Sequence, residues 1–170
     1  MAYIDVLPLA TMKVYLRIDD TQNETDSEIT SMINAAFRYI ERITNVMVVQ
    51  QATKEYIITD NCVKVYDHPV NSVVKGIDDD GADVTLTYKT NYDYENKHLY
   101  VNYYSIDSEA VTLVLDVGYA TASDVPDDLI QLAKEMVKLM YYEQETNQSF
   151  KDMLSPLSKE IIESNRRFII

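Results

Sequence analysis

One apolar stripe, between Thr25 and Asn45, constrains the fold of this chain more than any other stretch. Apolar residues recur there at spacings of three and four, which places them on one face of a helix of about five turns. These residues are Ile29, Ile33, Ala36, Phe37, Ile40 and Ile43. Thr25 and Glu28 have the spacing of a capping box, in which both side chains bond backbone amides at the start of a helix. The sequence therefore predicts a long amphipathic helix whose stripe the rest of the chain has to bury.

Two other predicted helices can cover this stripe. After an extended lead-in over residues 1–10, Thr11 is a suitable N-cap for a short helix. A second long helix begins at Pro126, because proline suits the first helical turn and the acids that follow it suit the positive end of the helix dipole. Its apolar residues are Leu129, Ala133, Met136, Val137 and Met140. We therefore expect an N-terminal helical hairpin, with helix 25–45 packed against helix 126–145.

The centre of the chain alternates between apolar and polar residues, as β-strands with one exposed face do. Such runs lie at residues 63–66, 84–88, 99–103 and 111–117. Asp80-Gly81 is a strong signal for a two-residue hairpin turn. The pattern predicts a small antiparallel β-sheet.

Together these elements define an α+β fold in a single domain, 1–170. The helical core comprises residues 1–45 and 126–147, and the β-sheet is inserted at residues 46–125. Residues 148–170 form a C-terminal segment in which a last short helix begins at Pro156. A chain of 170 residues is long enough for one domain with a real core and short for two.

The C-terminal segment carries more apolar side chains than a free terminus usually exposes. They are Leu154, Leu157, Ile161, Ile162, Phe168, Ile169 and Ile170, with Arg166 and Arg167 between them. Exposed together, such residues form an aggregation-prone patch, whereas each one stabilises an assembly when it is buried. We expect the segment to be an arm that docks on a partner. Folding back on the chain's own helices is the alternative.

A formal net charge of −13 limits the partners of the chain. Binding to DNA phosphates requires a stripe of lysine and arginine that releases counterions, and this chain lacks one. An acidic surface instead keeps nucleic acid away, although acids also simply keep proteins soluble. The N-terminus lacks the basic region of a signal peptide, and no apolar run is long enough for a membrane span.

The sequence contains no arrangement of residues typical of catalysis or of metal and cofactor binding. His68 and His98 have no second ligand at a useful spacing, and Cys62 stands alone without a motif. The run from Asp78 to Asp83 resembles a calcium loop, but an aspartate replaces the glycine required at its sixth position. We therefore expect a protein that is not an enzyme and has no cofactor.

The order of several motifs resembles that of phage head-tail connector proteins, which are also called adaptor or head-completion proteins. The N-terminal part of the resemblance is Met12-Lys13-Val14-Tyr15-Leu16-Arg17-Ile18-Asp19, a polar gap, and residues 26–44 with Ala35-Ala36 and Tyr39-Ile40-Glu41. The central part is His68-Pro69-Val70-Asn71-Ser72-Val73, and Val117-Gly118-Tyr119-Ala120 before Val125-Pro126-Asp127-Asp128-Leu129. The C-terminal part is Tyr141-Tyr142-Glu143, Leu154-Ser155-Pro156-Leu157 and Arg166-Arg167.

This resemblance implies a helical core with a sheet insertion, and a structural protein of the virion neck. Members of the family form a homo-oligomeric ring of about a dozen subunits beneath the portal of a tailed double-stranded DNA phage. The resemblance also implies assembly in the host cytoplasm, contact with a tail-completion or tail-terminator protein, no membrane, and DNA that passes through without specific binding. The C-terminal arm would then dock on the portal or on a neighbouring subunit.

In a connector ring, acidic residues suit the wall of a channel through which DNA passes. The candidates for this wall are Asp19, Asp20, Glu24, Asp26, Asp78, Asp79, Asp80 and Asp83. Three other functions stay open: a tail-completion protein, an acidic DNA mimic that inhibits a nucleic-acid enzyme, and an enzyme whose site forms between subunits. The DNA mimic fits the charge of the chain but leaves the apolar C-terminus unexplained.

Overall fold

A computed structural model describes residues 1–58, 62–84, 87–93, 98–104, 111–142 and 150–166 of the chain. These residues form two compact units. The helical unit comprises residues 1–44 and 119–166, and the sheet unit comprises residues 45–118. The fold class is α+β, as the sequence predicted.

The helical unit contains six α-helices and a short 3-10 helix at Ala122–Asp124 among its described residues. The α-helices are α1 (Tyr3–Val6), α2 (Leu9–Leu16), α3 (Asp26–Thr44), α4 (Asp127–Tyr142), α5 (Phe150–Met153) and α6 (Pro156–Asn165). The predicted extended lead-in is wrong, because α1 lies within it and α2 already begins at Leu9, with Pro8 as its N-cap. Proline before the first turn fixes the backbone in a conformation that suits the start of a helix.

The core of the helical unit forms where α3 packs against α4, as the sequence predicted. Residues from both predicted stripes are almost completely buried: Ile33, Phe37 and Ile40 on α3, and Leu129, Ala133, Met136 and Val137 on α4. The short helices complete this core, because Val6, Met12 and Leu16 are buried as well. Tyr3 stacks on Phe37 at 5.5 Å between ring centroids, and its hydroxyl donates to Glu41 Oε2 at 2.6 Å. Burial and this carboxylate raise the pKa of Tyr3.

The described residues of the sheet unit form two antiparallel sheets, where the sequence predicted one. Its strands are β1 (Gln51–Ile58), β2 (Cys62–Val65), β3 (Val70–Asp78), β4 (Asp83–Val84), β5 (Thr87–Asp93), β6 (His98–Tyr104) and β7 (Val111–Val117). Four strands form the first sheet in the order β1-β7-β3-β4, and three form the second in the order β2-β6-β5. Alternating patterns specify which face of a strand is apolar but not which strands pair, so the division into two sheets was missed.

Strand β7 lies at the centre of the first sheet, between β1 and β3. Its Leu113, Leu115 and Val117 form one buried cluster with Met47 and with Val65 of β2. The sequence of a strand that is paired on both edges and buried is typically a nearly continuous run of apolar residues. The sequence Val111-Thr112-Leu113-Val114-Leu115 is such a run.

Two glycines of the sheet unit adopt the left-handed conformation. Gly81 has a φ of +83° in the turn between β3 and β4, so a hairpin does lie at Asp80-Gly81. The predicted two-residue turn is wrong, because residues 79–82 separate the two strands. Gly118 has a φ of +97° directly after β7. A Cβ atom there would lie 2.8 Å from the carbonyl oxygen of Val49 and 3.0 Å from that of Met47, whereas a Cβ at Gly81 would meet open space. Only Gly118 is therefore required for close packing of the backbone as well as for its φ.

Candidate assembly surfaces

A buried lysine holds the acidic loop between α2 and α3 in place. Lys13 lies on α2 with only 3% of its surface exposed. Its Nζ donates to the carbonyl oxygens of Asp20 and Gln22, at 3.1 and 2.7 Å, and lies 3.0 Å from Asp26 Oδ1. One cation thus ties the loop to the first turn of α3. The Thr25 half of the predicted capping box is wrong, because Thr25 Oγ1 is buried and makes no hydrogen bond to any residue that the structure describes.

The four candidate channel acids of this loop differ in how far their charges are engaged within the chain. Asp26 is the ion-pair partner of Lys13, so its charge is neutralised within the chain. Asp19 accepts hydrogen bonds from the amide and the hydroxyl of Thr21, which lower its pKa. Asp20 and Glu24 are exposed. The loop therefore presents acidic side chains to solvent, but Asp26 serves the fold.

The other four candidates lie in the turn between β3 and β4, in the sheet unit. Asp78 accepts a hydrogen bond from the amide of Ala82 at 2.7 Å and so shapes the turn. Asp83 lies 2.5 Å from Lys75 Nζ in an exposed ion pair. Asp79 and Asp80 are exposed at the tip. The eight acids thus form two groups on different units, and a common channel wall stays a prediction.

The C-terminal segment folds back on its own chain as far as Arg166, which corrects the expectation of a free arm. Leu154, Ile161 and Ile162 are buried, and α6 packs against both α3 and α4. Leu157 is 61% exposed and Arg166 is exposed. The remaining members of the predicted docking set, Arg167, Phe168, Ile169 and Ile170, lie outside the described residues.

A carboxylate on α4 fixes the start of α6. Glu135 Oε1 accepts from the Ser155 amide at 2.6 Å, and Oε2 accepts from the Ser155 hydroxyl at 2.9 Å and from the Ser158 hydroxyl. Ser155 in turn caps α6 by accepting from the Ser158 amide at 3.2 Å. Burial raises the pKa of Glu135, but the hydrogen bonds from Ser158 and Ser155 outweigh it, so the pKa lies below its ordinary value. The ionised carboxylate is therefore the form that holds α6.

An apolar groove of about 250 Å³ lies between α3 and α4. Ala35, Ala36, Tyr39, Met136 and Met140 line it. Ala36 and Met136 are buried, Tyr39 and Met140 are half-buried, and Ala35 is exposed. Arg42 places its guanidinium 5.1 Å from the centre of the Tyr39 ring. Small alanines next to flexible methionines give a surface that can accept an apolar side chain.

A second, more polar cavity of about 470 Å³ is lined by Tyr15, Leu16, Arg17, Lys138 and Tyr142. The Tyr142 hydroxyl donates to the carbonyl oxygen of Leu16 at 2.5 Å and so connects the end of α4 to α2. Two cations at its rim make it a locally basic site on an acidic protein. Neither cavity was predicted, and the one available signal was that Ala35 and Tyr39 lie one turn apart beside the apolar stripe of α3.

The described residues contain no group of three or more side chains that could hold a metal ion. His68 is half-buried, and its Nδ1 lies 3.3 Å from the carbonyl oxygen of Tyr66. The side chains of Cys62 and His98 lie outside the described part of the chain. Within that same part, no helix has the length and apolar character to cross a membrane.

Solved structures of gene transfer agent (GTA) particles contain chains with this fold. A chain in the neck of an empty GTA particle, computed with C6 symmetry, matches with a TM-score of 0.76 at 20% identity, over 97% of this chain and 91% of that chain. A chain in the virion of the native GTA particle matches with a TM-score of 0.75 at 18% identity, over 100% of this chain and 94% of that chain. A chain in the neck of the native particle, computed with C12 symmetry, matches with a TM-score of 0.67 at 18% identity, over 96% of this chain and 93% of that chain. No protein-family model matches the sequence, and neither does any curated protein sequence.

Proposed function

We propose that this chain is a structural protein of the neck of a phage-like particle. Copies of it form a ring beneath the portal, join the portal to the tail and continue the DNA channel. The observation that carries this proposal is the fold of the whole chain, which is shared with chains of GTA necks and virions. The resemblance of the sequence to connector proteins points in the same direction.

Symmetry and charge support the finer parts of the proposal. The similar necks were computed with C6 and C12 symmetry, which suits a ring of identical subunits. The net charge of −13 and the exposed acids Asp20 and Glu24 suit a wall that does not hold DNA phosphates. We propose that the protein is not an enzyme, because the chains that share its fold are parts of GTA necks and virions.

The test is the mass of the purified protein with and without the portal protein of the same particle. We expect a portal-dependent ring with cyclic symmetry, measured by native mass spectrometry and two-dimensional class averages. We also expect only weak, salt-insensitive binding of duplex DNA, because few cations are available for counterion release. A protein that stays monomeric with portal and is absent from purified particles would overturn the proposal. A ring that binds only to the tail protein would identify a tail-completion protein instead.

A further inference from the structure

We propose that the groove between α3 and α4 receives Ile57 of a neighbouring copy of this chain, and that Glu55 of that copy pairs with Arg42 beside the groove. This inference rests on the proposed ring, because it assigns a contact between adjacent subunits. A ring of identical subunits needs two different, complementary surfaces on each copy. One is the groove on the helical unit, and the other is the β1 edge of the first sheet.

The groove is an apolar site with a cation at its rim. Its volume of about 250 Å³ exceeds the cavity of about 150 Å³ that holds a benzene ring in a protein core, so an isoleucine side chain fits. The small Ala35 and the flexible Met140 leave room for a branched side chain. The Arg42 guanidinium lies 5.1 Å from the centre of the Tyr39 ring, which lines the groove. The groove therefore suits an apolar side chain with a carboxylate next to it.

Strand β1, at the edge of the first sheet, presents this combination. Ile57 is 75% exposed, the highest value for any large apolar side chain in the described part of the chain, and Glu55 is exposed as well. The two residues pair with Thr112 and Val114 of β7, so they lie on the face opposite to Tyr56 and the buried cluster. Residues two apart on a strand share a face at a separation of about 7 Å, so Glu55 and Ile57 form one acidic and apolar patch.

The spacing of the two surfaces agrees. With Ile57 against the Tyr39 ring, the flexible side chain of Glu55 can reach a guanidinium that lies 5.1 Å from the centre of that ring. Val74 is the other exposed large apolar residue in the described part of the sheet unit, at 49%. The residues two positions away from it are Ser72 and Gly76, and neither carries a charge. Ile57 therefore fits the groove and its cation better than Val74 does.

Both charges are available for a contact between copies. Arg42 and Glu55 are exposed, and neither forms an ion pair with another described residue. At a net charge of −13, two copies repel each other unless their contact joins a cation of one to an acid of the other. The cation–π contact with Tyr39 also holds the guanidinium where a carboxylate can approach it. The ion pair then sets the orientation in which Ile57 enters the groove.

The test reverses one charge on each surface of the full chain. Arg42→Glu places an acid opposite Glu55, and Glu55→Arg places a cation opposite Arg42. Each variant alone should therefore form portal-dependent rings at a yield at least about tenfold below that of the wild type. A one-to-one mixture of the two variants should restore the yield to within about twofold of the wild type. In an alternating ring with an even number of copies, every contact again joins opposite charges.

Native mass spectrometry measures the yield and shows whether the two variants enter the ring in equal numbers. Rescue by mixing can come only from a contact between different copies, since a pair within one chain stays broken in both variants. The apolar part of the contact is tested with Ile57→Ser, which should lower the yield at least about tenfold, whereas the matched control Val74→Ser should leave it unchanged. Both substitutions are at exposed residues, so the melting temperatures should stay close to that of the wild type.

Several outcomes would overturn the inference and leave the proposed function standing. One is a ring at wild-type yield from either charge variant alone, and another is a mixture that assembles no better than its components. If the variants no longer bind portal and mixing restores nothing, the groove is a site for the portal protein instead. Equal losses from Ile57→Ser and Val74→Ser would also remove Ile57 from the contact. If the wild type itself forms no ring with portal, the proposed function is wrong and this contact is wrong with it.

Discussion

The helical unit and the sheet unit differ in the interactions that stabilise each of them internally. In the helical unit, two long helices share one buried stripe, and polar contacts such as those of Lys13 and Glu135 fix the short helices around it. In the sheet unit, the central strand β7 supplies three of the five buried residues of a smaller apolar cluster. The backbone at Gly118 also packs directly against the backbone of Met47 and Val49. Side-chain volume thus dominates the stability of the first unit, whereas the second depends more on backbone geometry.

The largest effect is expected from Phe37→Ala in the helical unit. Phe37 is completely buried and stacks on Tyr3, so its removal should cost about 3–5 kcal/mol of unfolding free energy. Chemical denaturation measures the total, and hydrogen exchange should show the loss of protection in α3 and α4 more than in β7. The control Ile57→Ala, at a residue of β1 that is 75% exposed, should change stability by less than about 0.5 kcal/mol. Equal loss of protection in both units would show that they unfold together.

The next largest effect is expected within the sheet unit, where alanine substitutions at two glycines should cost different amounts of unfolding free energy. Gly118→Ala combines an unfavourable φ with a clash against the carbonyl oxygens of Val49 and Met47, and should cost about 2–5 kcal/mol. Gly81→Ala has a similar φ and open space, so it should cost only about 1–2 kcal/mol. Urea denaturation of both variants measures the difference. If the two lose the same stability, backbone packing at Gly118 contributes nothing.

A third comparison concerns one ion pair in each unit. Lys13→Met removes two hydrogen bonds and an ion pair of a buried cation. It should cost about 1.5–3 kcal/mol in total, the size of one hydrogen bond to a charged group, because the partly exposed Asp26 can be solvated by water once Lys13 is gone. Lys75→Met removes the exposed pair with Asp83 and should cost less than about 1 kcal/mol. Thermal denaturation at low and high salt measures the stability of both variants, since salt screens an exposed ion pair more than a buried one. An equally small effect of Lys13→Met would mean that the loop contributes nothing to the start of α3.

The smallest effect is the pH dependence of α6 docking. Glu135 has a lowered pKa in the folded protein, so its contribution is present above the ordinary value of 4.5. It is lost as the pH falls through the lower, folded value, because protonation removes the negative charge and weakens the hydrogen bonds that Glu135 accepts from Ser155 and Ser158. We expect the gap in melting temperature between the wild type and Glu135→Gln to be widest above pH 5 and to close toward pH 3. A constant gap would show that the charge of Glu135 has no role.

The long helices were predictable because a repeating apolar stripe specifies both the helix and its buried face. Even the end of α3 was visible, since Asn45 adopts a φ of +60° and asparagine tolerates that conformation. Long-range pairing was not predictable, so one sheet was expected where two exist. The contacts of Lys13 were missed for the same reason, because an isolated lysine in a sequence reads as a surface residue.

The candidate surfaces were predicted less well than the fold. Leu154, Ile161 and Ile162 were correctly identified as residues that need burial, but apolar character does not say which surface covers them. The acids of the loop looked equivalent in the sequence, yet only the position of Lys13 distinguishes Asp26 from Asp20. Grooves such as the one at Ala35 arise from the crossing of two helices, which a linear pattern does not contain.

The two ends of the sheet unit meet, and this has a consequence for how such proteins can diverge. The chain enters at Val46, which bridges to His68, and leaves at Gly118, whose amide donates to the Pro69 carbonyl at 2.8 Å. With entry and exit held side by side, the polypeptide between them can change in length without separating its two ends. A longer or shorter connection within this unit should therefore be tolerated at little entropic cost, since closure entropy grows only slowly with length.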